Sequence, residues 1–140
     1  MQTGPSVSRG GDTEGKVRTL KIQCLNICSL RKNLDQFILQ LLDKSTDIIV
    51  LTETWIYPHE EGLFRVPGYK SFFFSNATYR SGGTALFVKD TITCHQIDTN
   101  YSSCDACLVE LVIEGYTIQI LGVYRSPTRS VSDLDEYIKN

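Results

Sequence analysis

Ile48-Ile49-Val50-Leu51 is an unbroken run of apolar, largely β-branched residues held between Asp47 and Thr52-Glu53-Thr54. A strand sends successive side chains to opposite faces, so such a run is stable only where both faces are covered. It predicts a central strand over Asp47–Thr54 in a layered α/β domain. A partner lies upstream, because Leu20–Ile27 is short, apolar and partly alternating, and reads as a second strand. Between the two, Leu34, Phe37, Ile38, Leu41 and Leu42 recur at three- and four-residue steps. That spacing predicts a helix from Leu30 to about Lys44, with Ser29 as its cap. Strand, helix and strand in this order imply a parallel crossover with a right-handed turn.

Pro58, Gly62, Pro67 and Gly68 punctuate a loop after the central strand. Four more strands are expected at Tyr69–Ser75, Thr84–Val88, Ile92–Ile97 and Cys107–Ile113. Gly115 marks a turn into a last strong strand, Thr117–Tyr124, which Arg125-Ser126-Pro127 breaks. Ser130 or Ser132 then caps what reads as a new helix running to Asn140. Residues 1–18 are polar and Gly-rich and read as a disordered leader, so the structured part is expected over 19–140.

At 140 residues the chain has room for one domain, with 41% apolar and 21% charged residues in the usual globular balance. The net charge of −2 argues against nonspecific binding of nucleic acid through a basic surface. It leaves open a nuclease whose positive charge comes from metal ions. No apolar stretch reaches the roughly 20 residues of a membrane helix, so no membrane partner is expected. Five cysteines, an odd number without a secretory leader, suggest free thiols in an intracellular protein.

Two polar residues stand at strand ends, Asn26 and Glu53. In the parallel arrangement both emerge at the same C-terminal edge, where α/β sheets place their ligand sites. A carboxylate beside an amide oxygen is the kind of hard donor pair that magnesium accepts. A solvated strand end is the plainer reading of Glu53 from these residues alone. Other features have plainer readings too. His59 and His95 are expected at the surface, and Phe72-Phe73-Phe74 and Trp55 in packing. Gly82-Gly83 suits a hairpin turn, and Cys104-x-x-Cys107 and Cys24-x-x-x-Cys28 suit small hydrophobes and loop thiols better than two halves of a zinc site.

The wording of five segments adds to this. Leu25-Asn26-Ile27-Cys28-Ser29-Leu30-Arg31 and Ile49-Val50-Leu51-Thr52-Glu53-Thr54-Trp55 are followed by Val66-Pro67-Gly68-Tyr69, by Arg80 to Val88 and by Gly122-Val123-Tyr124-Arg125-Ser126-Pro127. Their order and type resemble the endonuclease/exonuclease/phosphatase superfamily, most narrowly the endonuclease domain of non-LTR retrotransposons. The resemblance implies an α/β fold, the first half of a four-layer α/β/β/α sandwich. It implies a Mg2+-dependent phosphodiesterase that nicks DNA to prime reverse transcription in the nucleus. Glu53 and Asn26 would be the metal ligands, Tyr124 would reach the scissile phosphate, and Arg80 would lie near the DNA.

After Tyr124 the family carries an Asp-x-Asn motif, a further aspartate and a terminal Asp-His pair, and none follows here. The expectation is a truncated retroelement endonuclease, inactive alone. The alternatives are a dead fragment that binds nucleic acid or a partner, and part of a phosphatase or repair nuclease. Since the strands Asp47–Thr54 and Thr117–Tyr124 both look apolar on two faces, and the second sheet is expected mainly in the missing half, an uncovered apolar sheet should favour self-association.

Overall fold

The computed structural model describes residues 19–41, 45–75, 81–99, 101 and 103–126. The leader over 1–18, the expected helix end at Lys44, Arg80 and the terminal helix from Asp133 lie outside the described residues. The elements run β1 (Ile22–Asn26), α1 (Leu30–Gln40), β2 (Ile48–Thr52), a 3-10 helix (Pro58–Leu63), β3 (Tyr69–Phe74), β4 (Thr84–Lys89), β5 (Thr93–Ile97), β6 (Asp105–Ile113) and β7 (Tyr116–Tyr124).

The Ser29 hydroxyl caps α1 by accepting the Lys32 backbone N–H at 3.2 Å. The helix stops at Gln40, where the Leu41 N–H turns back to the Ile38 carbonyl. Pro58–Leu63 is a 3-10 helix where a plain loop was expected, with Pro58 supplying the fixed φ that suits a helix start.

The first sheet has the order β1-β2-β4-β3, with β1 parallel to β2 and the remaining pairs antiparallel. As the unbroken run predicts, Ile48 to Leu51 are buried on both faces. Ile49 and Leu51 join Phe37, Leu41, Ala85 and Phe87 beneath α1. Ile48 and Val50 point the other way and join Leu86 and Val88. Phe73 packs on the α1 side, in edge contact with Phe87, while Phe72 and Phe74 pack on the opposite face.

That opposite face is covered, which corrects the expectation of a bare sheet. β5, β6 and β7 form a second, antiparallel sheet in the order β5-β6-β7, and Cys107, Val109 and Leu111 of β6 pack onto Ile48, Val50, Leu86 and Val88. The hairpins legible in the sequence close on themselves as a layer of their own rather than extending the first sheet. Helix, first sheet and second sheet thus give successive layers of an α/β sandwich. Gly122 of β7 sits where an added Cβ would meet Leu86 and Val50 side-chain atoms at 2.9 Å, so the sheets approach closely there.

β7 also differs from expectation. It is an edge strand, and its outward residues Thr117, Gln119 and Leu121 are exposed, Leu121 by 42%. Its inward face is apolar-packed through Ile118 and Ile120, and on the outward face Val123 packs against Cys104 and Ala106. β6 begins at Asp105, two residues before the expected start. Among the described residues no helix is long and apolar enough to cross a membrane.

Candidate functional site

Parallel pairing puts Asn26 opposite Thr52, so β1 and β2 end together and deliver Asn26 and Glu53 to one edge. The chain then knits the two strand ends to each other. The Ile27 N–H donates to the Thr52 carbonyl, Ser29 N–H to Glu53, and Leu30 N–H to Thr54, at 2.9–3.0 Å. The Asn33 side chain, one turn into α1, holds the turn from the other side by donating to the carbonyls of Ile27, Cys28 and Ser29. Cys28 (φ 46°), Glu53 (φ 57°) and Trp55 (φ 56°) all occupy the left-handed region. That region costs a non-glycine residue roughly 1–3 kcal/mol, a strain typical of functional edges.

The side chains converge. Asn26 Nδ2 donates to Glu53 Oε2 at 3.0 Å, and the Cys28 thiol donates to Asn26 Oδ1 at 3.0 Å with Glu53 Oε1 at 3.8 Å. Tyr124, at the end of β7 in the other sheet, lies close enough to Glu53 for that carboxylate to act on its phenol. Burial, then the Glu53 hydrogen bond and charge, push the Tyr124 phenol above its usual range. Lost hydration and the same carboxylate push the Cys28 thiol up. Neither group ionises readily beside Glu53.

Behind this cluster the strand ends are braced by Gly82-Gly83, which leads into β4. The Trp55 N–H donates to the Gly82 carbonyl at 3.2 Å, and the Thr54 N–H reaches the Gly83 carbonyl at 3.4 Å. Gly83 in turn donates its N–H to the buried Asp105 carboxylate at 2.7 Å, and Asp105 pairs in register with Tyr124. The hairpin reading of Gly82-Gly83 missed this bracing role.

Of the expected site residues, the structure brings Asn26, Glu53 and Tyr124 together. Arg80 lies outside the described residues. Sequence reasoning weighed Cys28 only as part of half a zinc site and set it aside, and it passed over Asp105. Cys28 falls in the turn after β1, where strand alternation no longer says which way a side chain points. Asp105 read as loop because it follows Ser102-Ser103-Cys104, and its only signal was its register opposite Tyr124 once β6 is extended. His59 is exposed and stacked on Tyr57, and His95 is exposed on β5, 3.4 Å from Glu110. Cys104 and Cys107 are buried, and burial pushes the Cys107 thiol up to about 12. Among the described residues no group of three or more His, Cys, Asp or Glu side chains is arranged to hold a metal ion.

Several solved structures share this layered core. AP endonuclease LMAP from Leishmania major superposes with a TM-score of 0.63 at 18% identity, covering 96% of this chain and 49% of that one. The endonuclease domain of TRAS1, a telomere-specific non-LTR retrotransposon, gives 0.63 at 15% identity over 86% of this chain and 51% of that one. D. rerio TDP2, complexed with single strand DNA product, gives 0.60 at 16% identity over 86% and 52%. This chain therefore spans about half the length of each, and the likeness is one of fold. No curated protein sequence matches it significantly. A sequence profile described as the Endonuclease/Exonuclease/phosphatase family matches residues 24–138, nearly the whole chain and all three clustered residues. The chain belongs to the endonuclease/exonuclease/phosphatase family.

Proposed function

We propose that this chain carries part of the active site of a Mg2+-dependent DNA endonuclease of the non-LTR retrotransposon kind, one that nicks nuclear DNA to prime reverse transcription. The observation that supports it most is the convergence of Asn26, Glu53 and Tyr124, from the ends of three strands in two sheets, on one place, with Asn26 hydrogen-bonded to Glu53 and Tyr124 within reach of its charge. The wording of the five sequence segments supports the retrotransposon reading, while the fold likeness to the TRAS1 endonuclease domain is matched by that to AP endonuclease LMAP.

The donors fit a hard cation in part. Glu53 offers carboxylate oxygens and Asn26 an amide oxygen, both suited to magnesium, which keeps several of its waters at such two-ligand sites. When bound, the ion supplies positive charge to a phosphodiester and stabilises the charge that builds up on it during hydrolysis. Glu53 and Asn26 would hold it; the Nδ2 bond to Glu53 fixes the amide, and its Oδ1 accepts from the Cys28 thiol. Tyr124, kept protonated by its surroundings, is available to donate its hydroxyl to a phosphate oxygen. Arg80 is the proposed contact to the DNA.

No group in the cluster is suited to activate water. Both histidines of the chain are engaged elsewhere. Groups that act as a unit lose most of their rate when one is missing, so the chain alone should bind DNA without cutting it. Fluorescence anisotropy on labelled duplex DNA tests this. Magnesium should tighten binding relative to EDTA, and Glu53→Gln should remove the increment while supercoiled plasmid stays unnicked. Binding that ignores both magnesium and Glu53 would overturn the assignment. Nicking by the wild type that disappears in Glu53→Ala would overturn the inactivity.

A further inference from the structure

We propose that the outer edge of β3 is a docking site for a short extended peptide, one apolar residue flanked by an acidic and a basic one. A cavity of about 580 Å³ lies along this edge, lined by Tyr69, Ser71 and Phe73 of the strand and by Glu61 and Gly62 of the 3-10 helix. That volume is in the range of sites that hold small ligands. In the order β1-β2-β4-β3 this edge is the one opposite β1, so the cavity opens on the other side of the sheet from Asn26.

The backbone leaves one open rung there. Along a strand, the N–H and carbonyl groups of alternate residues face the same side. The Tyr69 N–H turns away from β4 to the Val66 carbonyl at 3.1 Å, and the Phe73 carbonyl accepts from the Gln96 side chain at 2.9 Å. Ser71, midway between them, therefore presents its own N–H and carbonyl outward, and no strand pairs with them among the described residues. With Val66 and Gln96 closing the two ends, the edge has room for one residue of an incoming chain rather than for a whole strand. A peptide residue can return both bonds, which is how extended ligands add to a sheet edge. Residues paired across strands share a face, so its side chain comes down beside Tyr69 and Phe73, and those rings ask for an apolar group.

The side chains around the rung supply the rest. Glu61, Arg65 and Asp90 line the same cavity, yet no ion pair joins any of them to another charged group among the described residues. Lys70 adds no charge to the cavity, because its ammonium donates to the Ile92 carbonyl at 2.7 Å. One guanidinium and two carboxylates are thus left for a ligand. They fit a peptide that turns an acidic side chain to Arg65 and a basic one to Glu61 or Asp90. A nucleic-acid strand would set its phosphates against two carboxylates for one guanidinium.

The test titrates two blocked tripeptides, Ac-Asp-Val-Lys-NH2 and Ac-Lys-Val-Asp-NH2, into the isotope-labelled full chain and follows the backbone amides by NMR. The two sequences cover the two strand directions, and one of them should shift the Ser71 and Phe73 amides saturably. Methylating the valine nitrogen of that peptide removes one edge bond without touching the protein, and binding should weaken about threefold to tenfold. Ser71→Pro should cost about as much, since it deletes the outward N–H of an edge strand and leaves the β3–β4 ladder intact. Arg65→Ala, and Glu61→Ala combined with Asp90→Ala, should each weaken binding about twofold to fivefold, the range of exposed charge pairs. No saturable shift with either peptide overturns the site, as do shifts that spare Ser71 and Phe73. Full affinity after methylation, or in both sets of charge variants, overturns the mode of binding. Oligothymidylate that moves the same amides more strongly than either peptide overturns the choice of ligand.

Discussion

Asp105 accepts a hydrogen bond from the Gly83 backbone N–H at 2.7 Å, joining the first position of β6 to the turn that opens β4. It is a buried contact between the two sheets, and it lies behind the clustered side chains. Gly83 braces the chain just after Glu53, and Asp105 sits in register with Tyr124. A single buried carboxylate thus ties together the two halves of the candidate site, one on each sheet, in addition to the apolar packing between the sheets.

Asp105→Ala leaves the Gly83 N–H buried without a partner. A hydrogen bond to a charged group contributes about 1.5–3 kcal/mol, and a loss of that size is expected in urea denaturation. Asp105→Asn keeps an acceptor oxygen and should lose less. Both variants should also weaken the magnesium effect on DNA binding, because Glu53 and Tyr124 lose their common brace. A stability loss with no change in that effect would show that Asp105 is structural only.

Gly83→Ala should be costlier. Gly83 has φ +92°, and a Cβ there falls on the Thr54 hydroxyl. Strained backbone and overpacking together suggest about 2–5 kcal/mol. That hydroxyl is buried and has no hydrogen-bond partner among the described residues, so Thr54→Ala alone should be close to neutral. The double variant should recover part of the loss, a non-additivity that thermal unfolding can measure.

Asn26 and Glu53 were legible in advance because strand ends can be placed by pattern. Apolar β-branched runs fix β1 and β2, the helical spacing between them makes the pair parallel, and the register confirms that their ends coincide. Layer membership was not legible. Nothing local in Thr93–Ile97 or Asp105–Ile113 tells a hairpin whether to extend a sheet or to stack on it, since both choices bury the same alternate residues. Polar Thr117 and Gln119 did mark β7 as one-sided, but Leu121 and Val123 on the same face masked the alternation. The inward position of Cys28 depends on backbone angles that residue type alone does not dictate.

The phenol of Tyr124 offers a spectroscopic check on the cluster. Its pKa is raised above the ordinary value of 10.0 by burial first and by Glu53 second. Ultraviolet difference titration should show one tyrosine ionising later than the others, and Tyr124→Phe should remove that component. Glu53→Gln should move it only part of the way back, since burial remains. A full return would make the carboxylate the main cause.

The Arg31–Glu60 pair, at 2.6 Å, fastens α1 to the 3-10 helix, and Arg31 also covers the Phe64 ring. The hydrogen bond from Arg31, then that from the Tyr57 backbone, hold the Glu60 carboxyl below its ordinary 4.5. A depressed folded-state pKa gives a contribution that is present above the unfolded value and lost as pH falls through the folded one. Wild type should thus melt above Glu60→Gln at neutral pH, and the gap should close once pH drops below about 4.5. A gap that is constant down to acid pH would show that packing, not charge, separates the two.

β1 touches the rest of the first sheet along one side only, and all five of its residues are exposed, Ile22 by 45% and Leu25 by 40%. Asn26, a proposed cation ligand, therefore stands at the end of an exposed strand paired on one side among the described residues, while Glu53 is anchored at the end of the buried β2. Strands of this kind breathe at a small fraction of the global unfolding free energy. Amide exchange should run faster in β1 than in β2, and any ligand gripped by both Asn26 and Glu53 should slow it. Its measured affinity then includes the work of closing the strand, which makes the outermost ribbon of the fold a dial on how tightly the site can hold anything at all.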